Sequence, residues 1–100
     1  MDTKDIFKVL ANDTRLRILQ WLKDPKAHFP NAENGVNETE GVCVGLIQKK
    51  SGLAQSTISH YLVMLEEAGL VKSTRQGQHT YYRRNNTALA DLAHLVADEL

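Results

Sequence analysis

Between Val42 and Ala68 two stretches with helical apolar spacing are separated by a gap of only a few residues. Val42, Val44, Leu46 and Ile47 form the inward side of the first. Ile58, Leu62 and Leu65, at i, i+4 and i+7, form the buried stripe of the second. Ser51-Gly52 ends the first stretch at about Lys50, because glycine readily takes the left-handed backbone that closes a helix. Leu53 follows as a core anchor. A connection this short is what a helix-turn-helix requires. The second helix, Gln55 to Ala68, has a well-specified end. With Gly69 at C′, Leu70 falls at C″ and packs on Leu65, the contact that accompanies a Schellman cap. Its start has two readings. Either Ala54 is a weak cap, costing ~1 kcal/mol, or the helix begins at Ser56.

The rest of the chain supplies a frame for this pair. Residues 3–11 read as a short helix with Ile6, Phe7, Val9 and Leu10 on one face. Asn12-Asp13-Thr14 is a break rich in N-cap residues. It opens a second helix to Lys23, with Leu16, Ile18, Leu19, Trp21 and Leu22 inward and Arg15, Arg17, Gln20 and Lys23 toward solvent. Residues 24–41 hold both prolines and four acids and read as an acidic loop insertion. It is either an effector or partner loop using His28 and Phe29, or a tolerated surface excursion. Val71–Thr74 and Thr80–Arg84 are β-type runs around Arg75-Gln76-Gly77-Gln78-His79, which predicts a hairpin. Tyr81 and Tyr82 alternate, so one packs inward and the other faces out. A last helix over 87–100, capped from Asn85, Asn86 or Thr87, carries Leu89, Leu92, Ala93, Leu95 and Val96. That is more apolar surface than so small a core can bury, which predicts a dimer contact. The expected fold is α+β, mainly α with a small β-hairpin. It is a single domain over residues 1–100, a winged helix-turn-helix of five helices plus a two-stranded wing.

Function classes can be narrowed from charge and composition. No apolar run approaches the ~20 residues needed to cross a bilayer. The start, MDTKDIFKVL, has no long apolar region of a signal peptide. A single cysteine, Cys43, excludes an internal disulfide framework. Together these predict a cytoplasmic protein with no membrane partner. Net charge is zero, but it is unevenly spread. Residues 49–84 carry six basic against two acidic residues, 24–41 one against four, and 85–100 three acids alone. The positive surplus therefore lies on the helix-turn-helix and hairpin, where it would attract phosphates.

The chemistry of the second helix suits duplex DNA. Gln55 can pair with adenine through two hydrogen bonds, while Ser56, Thr57 and Ser59 suit phosphates or base edges. His60 can donate to phosphate or guanine. Arg75, Gln76 and Gln78 sit at the wing, with Arg75 suited to the minor groove or backbone. Lys49, Lys50 and Lys72 read as phosphate neutralisers. Arg83 and Arg84 are either phosphate contacts or ion-pair partners for the acidic stretches. A dimer would set two such helices about one DNA turn, ~34 Å, apart on an imperfect palindrome.

Three stretches, LANDTRLRILQWL at 10–22, VCVGLIQKKSGLAQSTISHYLVMLEEAGLVK at 42–72 and RQGQHTYYRRN at 75–85, carry a family likeness. Their order resembles that of the ArsR family of bacterial winged-helix repressors. The resemblance implies operator repression relieved by an effector, often a metal ion. It places Gln55, Ser56, Thr57, Ser59 and His60 on the recognition face. Arg75, Gln76, Gly77 and Gln78 match the wing tip. Ile6, Phe7, Leu89, Leu92, Leu95 and Val96, from the first and last helices, match the dimer contact. One sensor site of the family is a Cys-x-Cys pair on the third helix. Here Cys43-Val44-Gly45 keeps the first thiolate and has glycine in the second place. Another uses Asp and His on the last helix of each subunit. Asp91 and His94 stand there at i, i+3, without the later His and Glu of that pattern. The expectation is no metal and no cofactor, with Cys43, Asp91 and His94 as the residues a metal would use. The effector is unassigned.

The competing function is a winged-helix module that binds protein and not DNA, favoured by the neutral net charge and acidic loop. An enzyme is not expected. No nucleophile–base pairing, phosphate-binding glycine loop or metal-ligand spacing is present.

Overall fold

Ile58, Leu62 and Leu65 form the centre of the molecule, each with no solvent exposure. Burying side chains of this size stabilises the fold by about 1.5–3 kcal/mol each. They belong to α5 (Gln55–Glu67). Around them pack Ile18 and Leu22 of α2 (Asp13–Lys23), Ile47 of α4 (Val44–Ser51), and Leu70 and Val71. Val9 of α1 (Thr3–Leu10) adds an outer contact. The structure, a computed structural model, describes residues 2–30 and 34–100.

Helix ends follow local chemistry. The Asn12 side chain accepts from the Arg15 amide at 3.0 Å and caps α2. Gly52 closes α4 at φ 71°. After α5, the Leu70 amide donates to the Leu65 carbonyl at 3.0 Å and that of Gly69 to Glu66 at 2.9 Å. These are the two bonds of a Schellman cap, with Gly69 at φ 77°. Of the two readings for the start of α5, the weak cap is the one observed: Ala54 stands at N-cap without a side-chain bond.

The α+β winged helix-turn-helix is observed, but the described residues form six helices and four strands. Pro25–His28 forms α3, with Pro25 at the first helical position, where its missing N–H is no loss. Val36–Asn37 forms β1 and Gly41–Cys43 forms β2. The Asn37 side chain accepts from the amides of Thr39 and Glu40, at 2.8 and 3.0 Å, and shapes the turn between them. α3 and β1 come from the stretch expected to be loop, and β2 joins its last residue to the expected start of the next helix. Residues 31–33 of the expected loop lie outside the described residues.

The wing strands β3 (Val71–Gln76) and β4 (His79–Arg84) join this hairpin in an antiparallel sheet of order β1-β2-β4-β3. Val42 pairs with Tyr82 and Cys43 with Tyr81. This is why Val42 and Cys43 are strand and the helix begins only at Val44: a partner edge was available that helical spacing could not reveal. Gly41, at φ 98°, lies so close to β4 that an added Cβ would collide with the Tyr82 carbonyl. Gln76 pairs with His79, so the tip is Gly77-Gln78 alone. Gly77 has positive φ and Gln78 does not, the sign pattern of a type II′ hairpin turn. Arg75 and Gln76, expected in the turn, are therefore in the strand.

Two residues of α2 are reversed from the helical-face expectation. Arg15, read as solvent-facing, is 8% exposed, while Leu16, read as buried, is 41% exposed. Arg15 is drawn in by carbonyl acceptors at the end of α1.

Candidate nucleic-acid interface

Helical periodicity sets the outward face of α5. Opposite the buried stripe lie Ser56, His60 and Val63, all exposed and spaced i, i+4 and i+7. Gln55 is exposed at the helix start, and Ser59 is half-buried beside it, one turn on. The same edge continues to Glu66, whose carboxylate accepts from the Ser73 amide at 3.1 Å and from the Ser73 hydroxyl. Gln55 and Ser59 thus sit on the edge nearer the wing. Thr57 is half-buried on the opposite edge, with Tyr61 and Met64. Val63, 45% exposed on a polar face, is not among the DNA contacts expected from sequence. Its position one turn beyond Ser59 and His60 was the available signal, and an exposed aliphatic group there suits a thymine methyl.

Strand alternation sorts the wing. Ser73 and Arg75 point to one side of β3, and the Ser73–Glu66 contact shows that this side faces α5. Arg75, exposed, therefore extends the surface that holds Ser56 and His60. Gln78 is exposed at the tip and Gln76 beside it. Lys72, though exposed, is on the other side of the ribbon with Thr74. Arg83 is held there, its Nη1 donating to Glu40 at 3.1 Å and to Thr74 at 3.0 Å. Of the two roles open to Arg83, ion pairing with the acidic stretch is the one observed.

The two lysines of α4 also part. Lys49 is exposed. The ammonium of Lys50 donates to the His28 carbonyl at 2.9 Å and lies 5.5 Å from the ring centroids of both Trp21 and Phe29. It ties α3 to α4 at an exposed position. Tyr82 is buried against the helices, and Tyr81 is half-buried on the other face. Burial, and secondarily the Glu66 carboxylate, raises the Tyr82 phenol above its ordinary pKa of 10.0.

No residue of α6 (Asn86–Glu99) is buried. Leu89, Leu92 and Leu95 are half-buried, and Val96 is 45% exposed. On α1, Ile6 is half-buried and Phe7 is 39% exposed. These are the residues expected at a dimer contact. The metal-ligand candidates do not converge within the chain. Cys43 is buried in β2, at the start of α4 and not on it. Asp91 and His94 are exposed on α6, with His94 3.8 Å from Asp98. Among the described residues no three His, Cys, Asp or Glu side chains come together.

The sequence profile of the arsR family of bacterial regulatory proteins matches residues 37–73, from β1 to the start of the wing. The uncharacterized HTH-type transcriptional regulator YbzH of Bacillus subtilis is 45% identical over the whole of both chains. The chain belongs to the ArsR family. Its relatives in this family include the transcriptional repressor SdpR of Bacillus subtilis, 31% identical over 87% of this chain and 80% of SdpR. The ArsR-family fold is matched by a solution structure from Mycobacterium bovis, the homodimeric winged helix-turn-helix DNA-binding domain of a possible ArsR-family transcriptional regulator. That domain aligns with a TM-score of 0.64 at 30% identity, over 96% of this chain and 78% of its own. As an ArsR-family member the protein is a transcriptional regulator and not an enzyme. No helix among the described residues is long and apolar enough to cross a membrane.

Proposed function

We propose that the whole chain acts as one DNA-binding domain, a cytoplasmic homodimer that represses transcription at an imperfectly palindromic operator. An effector, unassigned, releases it. The observation that carries this reading is the shared surface of α5 and the wing. Ser56, His60 and Val63 point outward, Gln55 and Ser59 lie on the edge nearer the wing, and Arg75 extends the same side. In this reading α5 enters the major groove, and Gln55 reads base edges with Ser56, Ser59 and His60. Arg75, Gln76 and Gln78 contact backbone or minor groove, and Lys49 neutralises phosphate. Thr57, Lys50 and Lys72 contribute less, since each is half-buried, tied to α3 or on the far side of the ribbon. The uncovered apolar face of α6, with Phe7 of α1, supports the dimer, as does the homodimeric state of the Mycobacterium bovis domain. The repressor role is supported by the likeness to SdpR.

Selection of bound sequences from random duplexes tests the proposal. Two related half-sites centred about one turn, ~34 Å, apart are expected, with affinity falling steeply as salt is added because phosphate contacts release counterions. A flat salt response with no enriched sequence would instead favour a protein-binding module. A reporter driven through the selected site should be lowered by the protein; activation would refute the repressor role alone.

A further inference from the structure

We propose that the cavity between the end of α2, the β1–β2 hairpin and the junction of β4 with α6 binds a small organic monocarboxylate, held by Arg84. The cavity holds about 490 Å³, within the range of small-molecule sites. Arg84 shares a face of β4 with buried Tyr82, two residues before it, but lies where the strand ends and the packed core gives way to this space. Its Nε is buried and has no hydrogen-bond partner among the described residues. A buried guanidinium N–H without an acceptor is costly, and a carboxylate is the planar acceptor that its fork geometry fits best.

The charges in the walls limit the ligand to one negative charge. Lys26 and Glu38 pair with each other at 3.2 Å, and at 81% and 84% side-chain exposure they stand at the solvent-facing rim. Arg83 is satisfied by Glu40 and Thr74. Arg84 takes part in none of the ion pairs among the described residues. Asp24, also in the wall, is exposed and makes none either. Among the described residues Arg84 and Asp24 are thus both left without an ion-pair partner, and a second negative charge on the ligand would meet Asp24 and Glu38. Leu22, Pro25 and Val36 offer apolar contact for the ligand body, and Asn37, Thr39 and Asn86 offer polar groups. The class that fits is a short aliphatic or aromatic carboxylic acid.

This site is built largely from the stretch between α2 and β2, and it touches the residue where the wing passes into α6. If the DNA-binding reading holds, on which only this consequence rests, occupancy would couple the wing to the dimer helix.

The test is a ¹H–¹⁵N titration of the full chain, without DNA, using benzoate and hexanoate as probes and benzamide and inorganic phosphate as controls. Either carboxylate should shift the Arg84 side-chain Nε–H and the Val36 and Asn86 amides saturably, at or below about 10 mM. Benzamide and phosphate should not. Arg84→Gln should weaken the response by about tenfold or more, and Arg84→Lys by less. Absence of a saturable shift with both carboxylates overturns the proposal, as does an equal response to benzamide or phosphate. The comparison of benzoate with benzamide on the unsubstituted protein stands even where Arg84→Gln fails to fold. Because no DNA is present, a failure here is separate from a failure of operator binding.

Discussion

The Nε of Arg15 donates to the carbonyl oxygen of Val9 at 2.6 Å. Val9 lies in the last turn of α1, where carbonyls have no partner within the helix. The same guanidinium reaches the Lys8 carbonyl at 3.4 Å, lies 4.9 Å from the Tyr61 ring centroid and places Nη1 3.7 Å from the Met64 sulfur. One side chain thus links α1, which carries exposed Phe7, to α5. Arg15→Ala is expected to cost about 2–3 kcal/mol, since it strands the buried Val9 carbonyl. Arg15→Lys should recover less than half of that, lacking the fork. Urea denaturation measures both, and an unchanged midpoint for Arg15→Ala would show the contact to be dispensable.

Base reading and backbone contact should separate by mutation. Gln55→Ala is expected to cost about 1–3 kcal/mol on the preferred base and to relax selectivity at that position. Arg75→Ala should weaken cognate and random duplexes to similar extents. Fluorescence anisotropy on both duplex types checks this. Equal losses on the two for Gln55→Ala would remove Gln55 from base recognition.

Placing a charge on the uncovered face of α6 should break the dimer while sparing the fold. Val96 is 45% exposed within the chain, so Val96→Glu leaves the core intact. It should raise the dimer dissociation constant by about a hundredfold. Sedimentation velocity reads the assembly and far-ultraviolet circular dichroism the fold. A variant as dimeric as its parent would move the interface elsewhere.

Alkaline pH should expose the burial of Tyr82. Its phenol is raised above 10.0 in the folded chain, by desolvation first and by Glu66 second. Below pH 10.0 both folded and unfolded chains keep the proton, so the contribution is fully present. As pH climbs from there through the folded pKa, the unfolded chain releases its proton first and stability falls. Thermal midpoints recorded between about pH 8 and pH 11 should decline less in Tyr82→Phe than in the parent. Identical alkaline slopes would contradict the raised pKa.

Much of this is legible in the sequence. The Ser51-Gly52 break, the stripe of Ile58, Leu62 and Leu65, and the Gly69-Leu70 cap are local signals. Each depends on residues a few positions apart, and each was found where expected. The tyrosine alternation in β4 held for the same reason. β1 and β2 were not legible, because two- and three-residue strands have too little periodicity to announce themselves. β4 offers an edge to β2, about 40 positions away in sequence, and β2 in turn pairs with β1; the long-range pairing is one that no local preference encodes.

Charged residues show the same division. Sequence alone determined that Arg15, Lys50, Lys72, Arg83 and Arg84 were cations close to apolar or β-type stretches. Only the tertiary structure decided their fates. Arg15 went inward to the end of α1, Lys50 to the His28 carbonyl and two aromatic rings, and Arg83 to Glu40. Arg84 was left with a buried Nε that has no partner among the described residues. Helical and strand periods follow from backbone geometry and can be read along the chain. The partner of a long, flexible cation is chosen by whichever acceptors folding brings within its reach, and that choice is made across the chain.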